Sequence, residues 1–258
     1  SPTVRSNSGS QVAPRAIGIM LGLEATFQPF MGFPTYKTVH HLPLAERVRA
    51  MGDPAFKARL LQEKSDKVSV DGSPISPLAD YFLSNLDMLS RRLFRLGERP
   101  NYEPHPDDSF TAAAERRGVP VLSLIYDALL EQEGKALLYF PLYNYTGMNL
   151  DTVHEMLTHP LAIAGLSDGG AHVGTVCDAS FPTFLLQHWG RDRERGRLPI
   201  EHLVHMQTGA TAAYIGMHDR GVLETGRRAD VNVIDFERLA LRSPEMQHDL
   251  PAGGQRLM

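Results

Sequence analysis

Cysteine is almost missing from this sequence. Cys177 stands alone among 258 residues, which excludes an intrachain disulfide and any thiolate-rich zinc module. Long apolar runs are missing too: none approaches the roughly 20 residues that span a bilayer. The opening Ser1–Ser10 stretch is polar where a secretory leader would carry an apolar core, so the expectation is a cytoplasmic protein with no membrane association. Nor is there a surplus of positive charge. Thirty acidic residues face 26 Lys and Arg, leaving −4 with neutral histidines, so a footprint for nucleic-acid phosphates or anionic lipid is lacking. Glycine pairs occur at Gly169-Gly170 and Gly253-Gly254, but without the Lys-Ser/Thr of a phosphate loop or the three-glycine dinucleotide spacing.

What is present is an ordinary globular composition, 42% hydrophobic and 22% charged, in a chain long enough to bury a core without staples. The run Ala16–Leu23 reads as a strand entering a loop, and Lys135–Leu142 and Leu161–Leu166 as short buried strands. Helical patterns follow Pro43 and Asp53-Pro54, where proline suits the first turn, whereas Ile75–Leu78 reads as loop. Phe110–Arg117 has Ser109 or Asp108 as N-cap and stops at Gly118, and Pro120 opens a second helix, making a helical hairpin. A helix over residues 151–157 between the two buried strands suggests a parallel β/α unit. Helices over Pro182–Trp189 and Ile200–Tyr214 are separated by the charge run Arg191–Arg197. Gly221–Leu223 and Ala229–Asp235 alternate as short strands around a Gly226 turn.

Eleven histidines invite a metal reading, which spacing mostly removes. His154 and His159 are five apart, about 140° around a helix, and cannot share an ion. His202 and His205 are three apart but come without a third ligand. His40-His41 suits a solvent-facing or pocket-lining loop, and Cys177 suits a buried thiol. Asp168 is the strongest candidate. It sits where the apolar strand 161–166 meets a Gly-Gly turn, at the C-terminal end where β/α folds bind ligands, with simple capping of the turn as the equal alternative.

Three blocks, Ala164–His172, Thr208–Met217 and Asp219–Asp235, taken in this order and spacing, resemble the C-terminal half of metal-dependent amidohydrolases. They are most similar to the N-acyl-D-amino-acid deacylase (D-aminoacylase) branch, which residues 10–60 follow more loosely. The resemblance implies an α/β fold: the distal part of a (β/α)8 barrel over 1–218, with Leu161–Leu166 as its eighth strand, and 219–258 as strands returning to a small β-sandwich domain. It implies zinc as cofactor and Asp168 as both metal neighbour and proton relay. A bound zinc ion lowers the pKa of its water, and a carboxylate in reach takes the proton as hydroxide attacks the amide carbon. Gly169, Gly170 and His172 would touch substrate. The family's His-x-His pair after the first strand is absent. One carboxylate cannot hold zinc, which wants about three protein ligands, so the reading is of a C-terminal portion whose remaining ligands lie upstream and whose isolated form is inactive.

The expected ligand is a small N-acyl compound, and the expected association is a homo-oligomer or docking with the missing N-terminal part, since a partial barrel leaves strand edges open. No Lys or Arg occurs between Asp168 and Gly190 to receive a substrate carboxylate, although Arg15 or Lys37 could serve. A cyclic-amide hydrolase of the same superfamily, or a non-catalytic β/α scaffold, therefore stays open beside the deacylase.

Overall fold

The computed structural model describes residues 9–70, 75–167 and 172–258. The chain is mixed α/β and gathers into two compact units. One comprises residues 9–17, 143–167 and 178–242, and the other residues 18–70, 75–142, 172–177 and 243–258. The strands among the described residues are β1 (Ser10–Val12), β2 (Ile17–Leu21), β3 (Phe94–Arg95), β4 (Leu138–Tyr143), β5 (Ala162–Ala164), β6 (Met246–Leu250) and β7 (Gly254–Leu257). They pair as β1–β5, β2–β4–β3 and β6–β7.

In the unit built around 18–142, β4 is the middle strand because its Leu138, Tyr139 and Phe140 are apolar enough to be buried on both faces. Phe94 pairs antiparallel with Tyr139. On the other edge Gly18 lets β2 lie close against β4, since a Cβ there would lie 2.9 Å from the Phe140 carbonyl oxygen. Helices Leu44–Met51, Pro54–Leu60, Pro77–Ser84, Phe110–Arg117 and Val121–Leu130 lay their apolar stripes over a continuous core that includes Leu21, Phe30, Leu60, Phe82, Ile125 and Leu129. Each such side chain contributes about 1.5–3 kcal/mol of burial. Ser109 Oγ accepts from Ala112 N at 3.2 Å and Gly118 turns left-handed with φ +64°. The helical hairpin therefore starts and stops where its sequence says. Buried Tyr126 donates its hydroxyl to the Met51 carbonyl at 2.7 Å, joining the hairpin to the helix that ends there. Burial, then the charges of Asp127 and Asp53, push its pKa up.

In the other unit β1 and β5 run parallel, Ser10 opposite Ala162 and Val12 opposite Ala164. Around them stand helix Asp151–Leu157, helix Phe181–Phe184 continued by a π-helical stretch Leu185–Asp192, and helices Ile200–Gln207 and Gly209–Tyr214. The last two read as one helix in sequence. Thr208, at φ −125° and ψ −91°, breaks them. Trp189 is fully buried and its indole N–H donates to the Pro14 carbonyl at 2.6 Å.

Three further expectations are corrected. Segments 135–142 and 161–166 do supply strands with a helix between, but β4 and β5 lie in different sheets. Both edges of β4 are taken by β2 and β3, and the parallel neighbour of β5 is β1. Ile75–Leu78 is partly a helix start, where Pro77 enters the first turn and Ser76 accepts from Leu78 N. Finally, 221–223 and 229–235 form no strand, because an alternating segment becomes one only when another strand takes its backbone hydrogen bonds. Strand structure near the end appears instead in the β6–β7 hairpin, whose turn places Ala252 and Gly253 at positive φ.

Candidate active site

The candidate site starts at the C-terminal end of β5. Gly165 N continues the parallel ladder by donating to the Val12 carbonyl at 3.0 Å. A Cβ at Gly165 would fall 2.8 Å from Gln11 Cβ, so glycine is what lets the two strands close there. Leu166 then turns left-handed, φ +59°, a conformation costly for a bulky residue, and its side chain is exposed. The backbone thus leaves the sheet abruptly at Ser167. Asp168, Gly169 and Gly170, on which the catalytic, metal and substrate expectations fall, lie outside the described residues.

Beyond residues 168–171, His172 is exposed and also left-handed, φ +53°. Its carbonyl accepts from both Thr175 N (2.8 Å) and Val176 N (2.9 Å), closing a tight turn. That turn is stitched to its own unit at three backbone points: Met20 N to Thr175 O at 2.7 Å, Thr26 N to Gly174 O at 2.9 Å, and Leu257 N to Val173 O at 2.7 Å. A Cβ on Gly174 would meet Thr26 Oγ1, so Thr26 would have to turn aside to admit one. Cys177, buried, follows directly. Residues 172–177 therefore form a turn held by backbone hydrogen bonds.

None of the other candidate histidines belongs to a group of three metal-binding side chains among the described residues. His154 lies near Trp189, ring centroids 5.8 Å apart, while His159 accepts from Leu161 N. His202 and His205 are both exposed, as are His40 and His41, whose rings meet edge to face at 5.7 Å. Lys37 is engaged with Asp66 at 2.8 Å. Arg15 is buried over the Phe181 ring, 4.6 Å from its centroid. Spacing gave no sign of the inward roles in the charge run 191–197. Arg191 donates to the carbonyls of Phe236, Glu237 and Leu239 and holds Asp192, whose pKa it lowers. Arg193 is buried against Trp189. The only available signal was that arginine recurs at every second position there.

The Amidohydrolase family profile matches residues 5–253. The chain belongs to the amidohydrolase family. No curated protein and no solved structure matches it. As an amidohydrolase it is a hydrolase, of a superfamily that generally works with a bound metal ion. Among the described residues no group of three His, Cys, Asp or Glu side chains comes together to hold one, so those residues do not fit a metal centre by themselves. No helix among them is long and apolar enough to cross a membrane.

Proposed function

We propose that this amidohydrolase cleaves linear amide C–N bonds as a zinc-dependent N-acyl-D-amino-acid deacylase, and that the chain is the C-terminal portion of that enzyme. In this reading residues 1–218 are the distal part of the (β/α)8 barrel and 219–258 return to a small β-sandwich domain. The observation that carries it is the sequence Ser167-Asp168-Gly169-Gly170 directly after a strand paired in parallel with β1, inside the family match. A carboxylate at the C-terminal end of a parallel strand stands where β/α folds bind ligands.

Asp168 takes one proton as water adds to the amide carbon and returns it to the departing amine nitrogen, so the C–N bond breaks to a carboxylic acid and a neutral amine, and the acid's proton then passes to the amine to leave carboxylate and ammonium. Gly169, Gly170 and His172 contact the substrate. Zinc is the cofactor of this proposal, with Asp168 beside it and the remaining protein ligands upstream. The working protein is a cytoplasmic homo-oligomer, or an association of this portion with its N-terminal part.

A second reading has its own support. No cation occurs from Asp168 to Gly190, Lys37 is held by Asp66 and Arg15 is buried, so an uncharged cyclic amide suits the loop as a substrate. The test uses a protein extended upstream. It binds zinc, hydrolyses an N-acetyl-D-amino acid faster than a hydantoin or dihydropyrimidine, and loses about 10²–10⁴-fold in kcat on Asp168→Asn with its melting unchanged. Faster turnover of the cyclic amide selects the second reading. An extended protein without tightly bound zinc, indifferent to Asp168→Asn, is a binding scaffold.

A further inference from the structure

Residues 229–235, in the unit containing β1 and β5, present an unclaimed strand edge. All seven are exposed, with no turn or bend among them and none at positive φ. Among the described residues no hydrogen bond reaches their backbone N–H and C=O groups. Both ends of the run are nevertheless held. Before it, Arg228 N donates to the Asp219 carbonyl at 2.8 Å and Arg227 Nε donates to Glu224 at 2.6 Å. After it, Arg191 donates to the carbonyls of Glu237 at 2.9 Å and Leu239 at 2.7 Å. A segment fixed at its ends with its ladder groups open is a template for an added strand.

We propose that this run pairs antiparallel with the same run of a second copy of the chain, about a two-fold axis through Asn232. The proposal deepens the homo-oligomer of the reading above and rests on it in that respect only.

The sequence selects its own copy as the occupant. Residues opposite each other across a sheet share a face, and faces alternate along a strand, so a two-fold axis passes through a residue rather than between two. Centred on Asn232, every residue of the run finds one of the seven opposite. Val231 then meets Val233 of the copy on both sides of the axis, a β-branched pair that sheets favour. Just beyond the run, Arg227 stands opposite Glu237 of the copy. Moving the axis to Val233 sets Arg228 opposite Arg238, and like charges directly opposite destabilise a pair. Moving it to Val231 puts Val233 against Ala229 and leaves Ile234 and Asp235 beyond the run.

Net charge permits the approach as well. Between residues 227 and 238, Arg227, Arg228 and Arg238 balance Asp230, Asp235 and Glu237, so two copies meet without overall repulsion. Proteins commonly guard an exposed edge with lysine or proline, and the run has neither. Two seven-residue strands bury less than the roughly 1,200 Å² of a stable interface. The pairing is therefore weak, with a Kd of about 0.1–1 mM, and micromolar solutions hold the single chain.

The test is sedimentation equilibrium of the 258-residue chain from about 10 µM to 1 mM, a range that brackets that Kd. The expected result is a monomer–dimer equilibrium that Val233→Pro weakens at least 10-fold with circular dichroism unchanged, since Val233 is 98% exposed and proline cannot donate to a ladder. Oxidised with diamide, Asn232→Cys, on the axis, forms a covalent dimer at least 10-fold faster than Leu223→Cys, which is exposed but outside the run. A single chain at 1 mM, assembly beyond the dimer, equal dimerisation of Val233→Pro or equal cross-linking of the two cysteine variants overturns the proposal. So does loss of the Asn232→Cys cross-link in the protein extended upstream, where upstream sequence would be the occupant. None of these measurements uses substrate or metal, so failure of the pairing and failure of the deacylase reading are seen separately.

Discussion

Between Leu21 and Phe140 the amidohydrolase packs one continuous apolar cluster, whereas between Ile215 and Ile234 it turns Ile215, Met217, Val222, Leu223, Val231, Val233 and Ile234 toward solvent. Hydrophobicity does not separate these regions, since the second is rich in valine, leucine and isoleucine. A partner surface does. The helices of the first region have β2 and β4 beneath them, so each apolar side chain finds atoms to touch. Residues 229–235 have the period of a strand but no strand beside them, and their backbone groups are left to water. An element's own pattern states which face it would bury; it does not supply the surface to bury it on.

The comparison is sharpened first by truncation. Phe30→Ala, in the cluster, is expected to cost about 3–5 kcal/mol in urea unfolding, while Val233→Ala, 98% exposed, stays within about 0.5 kcal/mol. A cost above about 1 kcal/mol at Val233 would mean that the tail is packed in solution, and the contrast would be lost.

Removing the hydroxyl that joins the helical hairpin to Met51 is a smaller change. Tyr126→Phe leaves the Met51 carbonyl without its donor and should cost about 1–2 kcal/mol. The pH dependence has a definite sign. The folded pKa of Tyr126 is raised, so its contribution is fully present below the ordinary tyrosine value of about 10 and is lost as pH rises beyond it. The stability difference between wild type and Tyr126→Phe is therefore constant up to about pH 10 and shrinks above. A difference that grows above pH 10 would contradict the assignment.

The smallest effects come from two glycines in the same backbone state. Gly118, φ +64°, and Gly226, φ +87°, both have open space where a Cβ would go, so Gly→Ala meets only the backbone penalty of about 1 kcal/mol. At Gly118 the global melting transition should register it. At Gly226, in the exposed tail, it should register as no more than a few tenths. Equal losses at both positions would show that tail and core unfold together.

The hairpin was legible because its determinants are local: Ser109 caps, Gly118 stops and Pro120 restarts, each acting within four residues. The strand within 161–166, β5 at Ala162–Ala164, was legible for the same reason, being short, apolar and followed by Gly165. Its neighbour was not legible, because β4 is nearer in sequence and equally apolar, and only tertiary competition for its edges sends β5 to β1. At the candidate site, position at the end of an apolar strand and resemblance singled out Asp168, and His172 is found in a turn held by backbone hydrogen bonds. No pattern announced that the turn would be tied by Met20, Thr26 and Leu257, since those donors are backbone amides, which sequence does not distinguish. The burial of Arg193 was hidden likewise, because an arginine among charges reads as solvated until the tryptophan beneath it is seen.

The pairing of β1 with β5 joins partners about 150 residues apart, and this sets a schedule for synthesis. A ribosome adding about 5–20 residues per second releases Ser10–Val12 roughly 8–30 s before Ala162–Ala164 exist. For that interval the early strand emerges with its ladder donors unclaimed, and a chaperone or a neighbouring nascent chain has the first opportunity to take them.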